Sequence, residues 1–353
     1  MAMNRKERRA AAKQERAGGK AASAGQVAKI EQAISFAQIG DLAQAEALLD
    51  PILKSDPDLP EVNHQLGMIY VRTGRTEPGL DLLRKAVAAR PEESLYWNNL
   101  GAACLAIERS QEAVDAVRKA LAIDPKNFMA WQNLGLGQRD LGQRADAVEA
   151  FDRAAALGEL DASSLASWGE CLGALGRFAE AEAVVRRGLG LAQDDPGILT
   201  LLGWLLSEQG KAAEARETFR RSLDLKADQF LAAFNYAILS LRAGDGEVGL
   251  RWLRRATSID PNSAPAWRAL ALELMRQDRK DEALPVAERA LRLAPDDAEI
   301  QGLVRKLKGD PEPSAPVTDL NAITVDLEAP PEPKVPQGSG VFDLSVVKIG
   351  NDD

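Results

Sequence analysis

Apolar, small and polar positions along residues 26–297 follow helical spacing, and the whole pattern recurs with a step of 34 residues. Large apolar residues form one column, Leu66, Leu100, Leu134, Trp168, Leu202, Tyr236 and Leu270. Small residues form three more: Ala33, Gly67, Gly101, Gly135, Gly169, Gly203, Ala237 and Ala271; Ala45, Gly79, Ala113, Ala147, Ala181, Ala215, Gly249 and Ala283; and Ala86, Ala120, Ala154, Gly188, Ser222, Ala256 and Ala290. Two helices approach closely only where one side chain at the crossing is nearly absent, and large neighbours fill the space that this leaves. The pattern therefore predicts a series of packed helix pairs.

The punctuation keeps the same step. Gly40, Gly74, Gly142, Gly176, Gly210 and Gly244 share a turn slot, in which Glu108 and Asp278 replace glycine. Asp56-Pro57, Arg90-Pro91, Asp124-Pro125, Asp260-Pro261 and Ala294-Pro295 share a second slot, where proline stops a helix because it cannot continue the hydrogen-bond ladder. Glu159, Gln193 and Ala227 replace that proline. Each unit reads as a helix of about a dozen residues, a turn, a second helix and a break. No residue is inserted or lost between Gly40 and Asp278, so an unbroken stack is expected.

Trp97, Leu100, Gly101, Ala113 and Pro125 in one unit, and Trp131, Leu134, Gly135, Ala147, Phe151 and Ala154 in the next, resemble the tetratricopeptide repeat signature. The resemblance implies an all-α protein, an α-solenoid right-handed superhelix of eight helix-turn-helix repeats over residues 26–297, with a capping helix over residues 298–308. It implies a protein-binding module without naming a partner, because this fold serves many.

In such stacks the first helix of each unit lines the concave face. One column there reads Glu31, Gln65, Asn99, Asn133, Ser167, Leu201, Asn235 and Ala269. Asparagine is a poor helix former, so three in a helix-interior column need a reason. Two readings stand. The amides are solvated or bonded to a neighbouring helix, or they form a ladder that holds the backbone N–H and C=O of a bound peptide. The spacing is similar to the asparagine ladder of O-linked N-acetylglucosamine transferases, which implies peptide-binding roles for Asn99, Asn133 and Asn235, with Gln65 as a variant. Leu201 and Ala269 interrupt the column. His64, Asn98, Gln132, Arg72 and Met68 surround its first part, a mostly neutral lining. Trp204, Phe234, Arg242, Arg268 and Arg276 surround the later part, joining aromatic surface to cations suited to acidic groups. No three consecutive units reproduce the carboxylate clamp of chaperone-binding tetratricopeptide domains, so chaperone C-termini are not the expected ligand.

Composition changes little in this picture. The 353 residues carry a net charge of −9 and 45% hydrophobic residues, with no run of eighteen apolar residues that would suggest a membrane span. The first twenty residues have no apolar core of a secretory signal. The two cysteines, Cys104 and Cys171, lie two repeats apart within first helices and read as small core residues, so neither a disulfide nor a metal site is expected, and a reducing cytoplasm is the consistent compartment. The single histidine, His64, comes with no nucleophile motif, P-loop or metal-ligand spacing, so the chain reads as non-catalytic and without a cofactor. The richness in alanine, arginine and leucine resembles a bacterial protein of GC-rich origin.

The two ends differ from the array. Residues 1–25 hold Arg5, Lys6, Arg8, Arg9, Lys13, Arg16 and Lys20 against Glu7 and Glu15, and read as a disordered, solubilising arm or as a charge-based contact to nucleic acid or an anionic lipid surface. Residues 309–353 form an acidic, proline-rich tail that is expected to be disordered, with short apolar islands at 317–327 and 341–349. One expectation is that this acidic tail lies on the arginine-bearing part of the concave face as an internal pseudo-ligand. The leading functional reading is a scaffold that holds an extended segment of another protein. The alternative is a substrate-recognition subunit for a separate enzyme such as a glycosyltransferase.

Overall fold

The computed structural model describes residues 22–309, and within them seventeen α-helices and no strand are present. The basic arm lies outside the described residues apart from residues 22–25, and the acidic tail apart from Gly309. The chain divides into two compact units after Leu160.

The first unit holds four helix pairs: α1 Ala24–Gln38 with α2 Leu42–Ser55, α3 Pro60–Arg72 with α4 Thr76–Ala89, α5 Ser94–Leu105 with α6 Ser110–Ile123, and α7 Phe128–Asp140 with α8 Arg144–Leu157. Helix α1 starts at a capping box in which Ser23 Oγ accepts from Gln26 N–H and Gln26 Oε1 accepts from Ser23 N–H. Gly40, Gly74 and Gly142 turn the chain between the helices of three pairs with φ of 85°, 83° and 71°. Glu108 takes the same turn at φ 63°, a left-handed conformation that costs a non-glycine residue about 1 kcal/mol. The small columns mark real crossings. A Cβ on Gly101 would lie 2.4 Å from Val117 Cγ2, and one on Gly135 would meet the Phe151 ring at 2.9 Å.

The second unit holds α9 Ala162–Ala174 with α10 Phe178–Leu191, α11 Pro196–Glu208 with α12 Ala212–Leu225, α13 Phe230–Arg242 with α14 Gly246–Ile259, α15 Ala264–Arg276 with α16 Lys280–Leu293, and a last helix α17 Ala298–Lys308. Its turns follow the same rule, with Asp278 at φ 58° in the glycine slot. A Cβ on Gly169 would lie 2.2 Å from Val185 Cγ2. Helix α17 buries Ile300, Leu303 and Val304 and keeps Arg305, Lys306 and Lys308 in its last turn, where cations complement the helix dipole.

One regularity joins the proline slot to the repeat. Asn63 Nδ2 donates to the Pro57 carbonyl, the Trp97, Trp131 and Trp267 indoles donate to those of Pro91, Pro125 and Pro261, and Gln301 Nε2 donates to that of Pro295, at 2.8–3.0 Å. Every donor stands six residues after its proline. Where Glu159, Gln193 and Ala227 replace proline, the corresponding residues are Leu165, Leu199 and Ala233, which have no side-chain donor. The tryptophan of the signature thus ties down the loop before its helix, and asparagine or glutamine can do the same work.

Candidate peptide-binding faces

In the first unit the polar residues of the first helices are drawn into one hydrogen-bonded row. Asn99 on α5 donates through Nδ2 to His64 Nε2 on α3 at 3.0 Å and lies 3.1 Å from Met68 Sδ. Asn133 Nδ2 on α7 donates to Asn98 Oδ1 at 3.0 Å, Asn98 Nδ2 lies 3.4 Å from Asn99 Oδ1, and Gln65 Nε2 lies 3.4 Å from His64 Nδ1. The row therefore runs across three successive first helices. His64, Gln65, Asn98, Asn99, Gln132 and Asn133 are all 0–5% exposed.

Burial decides the electrostatics of this face. It pushes the His64 pKa down to about 3, so the imidazole is neutral at physiological pH and can accept a hydrogen bond at Nε2. The ring stacks on Tyr96, with centroids 4.5 Å apart. Tyr96 had no distinguishing signal in the sequence, because it stands one position before the signature tryptophan and not in the ladder column. Arg72, expected in this lining, donates to the Ala37 carbonyl near the end of α1 at 3.3 Å. Met68, Ala102 and Leu136, each three residues after a member of the amide column, are buried on the same helices.

In the second unit the equivalent columns are mixed, four apolar residues of eight with a single amide. Thr200, Leu201, Phe234 and Ala269 stand where the first unit has histidine and amides, and Asn235 is the one amide that remains in the column. Trp204 is buried with its ring edge-on to Phe178, centroids 6.2 Å apart, and Gly173 makes room for it, since a Cβ there would lie 2.6 Å from Trp204 Cζ3. The Trp204 Nε1–H is buried without a hydrogen-bond partner. Phe234 stacks on Phe230 at 5.8 Å.

Two of the arginines expected to line this face bind carboxylates of their own unit. Arg268 pairs with Glu299 and, at 3.7 Å, with Asp297, both at the start of α17. Arg276 holds Glu273 through two bonds of 2.7 Å, and Arg242 is exposed at the end of α13. Arg268 and Arg276 therefore already have carboxylate partners in their own unit. Arg276 and Glu273 are three residues apart on one helix, so their pairing was readable from the sequence.

Cys104 and Cys171 are both free and buried, and burial pushes the Cys104 thiol up to about 11, away from thiolate chemistry. No helix of the described residues is long and apolar enough to cross a membrane.

Residues 2–234 match the family described as the cilia and flagella-associated protein 70 C-terminal domain, and residues 240–307 match a tetratricopeptide repeat family. The chain belongs to this tetratricopeptide-repeat family. Solved structures agree on the fold. The Cut9–Hcn1 hetero-tetramer of the APC/C is 20% identical with a TM-score of 0.54, over 75% of this chain and 52% of that one. The pilF protein of Pseudomonas aeruginosa is 18% identical with a TM-score of 0.50, over 63% of this chain and 97% of that one. The chain thus spans about half the length of the Cut9–Hcn1 chain that it matches. No curated protein sequence matches it.

Proposed function

We propose that this tetratricopeptide-repeat protein is a non-catalytic scaffold that holds an extended segment of another polypeptide along its first helices, with the amide row of α3, α5 and α7 as the principal contact. The fold mediates protein–protein interaction in general, and the finer reading rests on one observation. The first unit places five amides and an imidazole on α3, α5 and α7, in columns that the second unit fills with Ala166, Ser167, Thr200, Leu201, Phe234, Arg268, Ala269 and the single amide Asn235. Stacking alone does not require polar groups there.

A side-chain amide offers both a donor and an acceptor, so a row of them suits a peptide backbone whatever its sequence. The cross-helix bonds orient these groups in advance, which lowers the ordering cost of binding. Each contact is worth about 1 kcal/mol net, so a row of four supports affinities of roughly micromolar strength once apolar neighbours such as Met68 and Leu136 add side-chain contacts.

The test is affinity capture from source cells with the wild type beside the N99A/N133A/N235A variant, after circular dichroism has shown that the variant is folded. Partners captured by the wild type and lost from the variant are the expected result, and their binding should weaken little as salt rises. Identical captures would reject the row as the contact.

A further inference from the structure

A cation recurs on the second helices with the 34-residue step: Lys119, Arg153, Arg187, Arg221, Arg255 and Arg289. Where the repeat keeps its tryptophan, this cation is used within its own unit. Lys119 Nζ lies 4.2 Å from the centroid of the Trp97 ring, Arg153 pairs with Glu149 at 3.8 Å, and Arg289, in the repeat of Trp267, donates to the Pro261 carbonyl at 3.4 Å. Leu165, Leu199 and Ala233 replace the tryptophan in three consecutive repeats. There Arg187 on α10, Arg221 on α12 and Arg255 on α14 are exposed and form no ion pair or side-chain hydrogen bond with a described residue. We propose that these three arginines, with Leu191 and Leu225 beside them, dock an acidic segment of another polypeptide that carries apolar side chains between its carboxylates. The surface lies on the second helices of the second unit and uses no residue of the amide row.

The charge of these arginines is not taken up by their neighbours. Every acid of α10 and α12 already has a cation: Glu180 holds Arg177, Glu182 holds Arg186 and Lys211, Glu214 holds Arg186, and Glu217 and Asp224 hold Arg220. Arg221 acts on Glu217 only at longer range. On α14 the preceding residue Arg254 takes Glu282 at 2.9 Å. In each of the three helices the first arginine of the pair is thus committed to the fold, and the second is left over.

The apolar neighbours narrow the choice of partner. Leu191 and Leu225, each four residues after its arginine and so on the same helix face, are 66% and 49% exposed. A polypeptide can bury the leucines and pair with the guanidinium groups at once, and the water that it excludes would otherwise weaken the pairs. A phosphate backbone has no use for the leucines. The chain's net charge of −9 repels a long polyanion or an anionic lipid surface, whereas a short acidic segment feels chiefly the charges within a Debye length of about 8 Å.

The experiment uses the full-length chain and a fluorescein-labelled peptide of alternating glutamate and leucine, read by anisotropy, beside the same peptide with glutamine in place of glutamate. R187Q/R221Q/R255Q, shown folded by circular dichroism, should bind the acidic peptide about tenfold more weakly than the wild type, the loss of three partly exposed charge pairs. The glutamine peptide should show a similar loss on the wild type. K119Q/R153Q/R289Q removes the same charge from the repeats that keep tryptophan and should change the affinity less than about threefold. Equal binding of the two peptides, equal binding by R187Q/R221Q/R255Q and the wild type, or no binding of the acidic peptide would each overturn the proposal. N99A/N133A should bind the acidic peptide as the wild type does. A loss there, with R187Q/R221Q/R255Q unchanged, would put the peptide on the amide row, overturning this surface while supporting the proposed function. Sedimentation with phosphatidylserine vesicles that R187Q/R221Q/R255Q loses, in place of peptide binding, would assign the arginines to a lipid surface and overturn it as well.

Discussion

The two units are built on one step and one turn, yet they spend their first helices differently. Gly101 and Gly169 stand at crossings of equal tightness, and Glu108 and Asp278 bend their turns alike. The difference is confined to columns the stack leaves negotiable. There the first unit carries His64, Gln65, Asn98, Asn99, Gln132 and Asn133, and the second carries Ala166, Ser167, Thr200, Leu201, Phe234, Arg268, Ala269 and one amide, Asn235. Positions set by backbone approach repeat in both units, whereas these columns, which no such approach constrains, diverge.

The comparison breaks most visibly in acid. His64 is the chain's one histidine, and its folded pKa of about 3 lies below the ordinary value of 6.5. Between those values the unfolded chain binds the proton and the folded chain does not, so the stability His64 contributes is complete above pH 6.5 and is lost as pH falls toward 3. The slope is at most about 1.4 kcal/mol per pH unit. Urea titrations from pH 7 to 4 should show a shallower loss for H64Q than for the wild type, and parallel curves would refute the assignment.

Next come the crossings, where the two units should respond alike. G101V and G169V force a side chain into Val117 or Val185, at an expected cost of about 1–3 kcal/mol each in urea unfolding. A large difference between them would mean that the units do not share one packing rule.

A transplant sharpens the contrast. Asn133→Leu gives the first unit the residue that Leu201 supplies in the second, and it orphans the Asn98 Oδ1 acceptor at a cost of about 1–3 kcal/mol. N98L/N133L removes both partners and should recover part of that loss. If N133L alone is neutral, the row has no structural share and the amides serve binding only.

The smallest effects belong to the strained turns. E108G and D278G should each raise stability by about 1 kcal/mol, equally in the two units, because glycine adopts the left-handed turn without a Cβ penalty. No change in the urea midpoint would show that the left-handed turn is not strained at these sites.

Much of the fold was readable before any coordinate. The glycine slot, the small columns and the proline slot each report a local steric condition that leaves its mark in residue type. The candidate site was only half readable. Asn99 and Asn133 stood out as poor helix formers in one column, and Trp204 as a large aromatic on the same helix face. Their partners were hidden, because His64 lies 35 residues from Asn99 and one column aside, and Asn98 stands in the same relation to Asn133. The link from Trp97, Trp131 and Trp267 to the preceding proline carbonyl was hidden too, since nothing in the spacing says that an indole N–H turns back across six residues.

By itself the sequence determined the period, the helix pairs and the positions where side chains must vanish, because helix crossings and left-handed turns are decided by atoms a few residues apart or one repeat apart. Only the tertiary structure decided that the amides of the first unit form a buried, neutral row and that Arg268 is held by Glu299 at the start of the last helix. Charge state and hydrogen-bond partner depend on which side chains of neighbouring helices meet at about 3 Å, and a repeat of 34 residues places those helices side by side without stating which of their atoms touch.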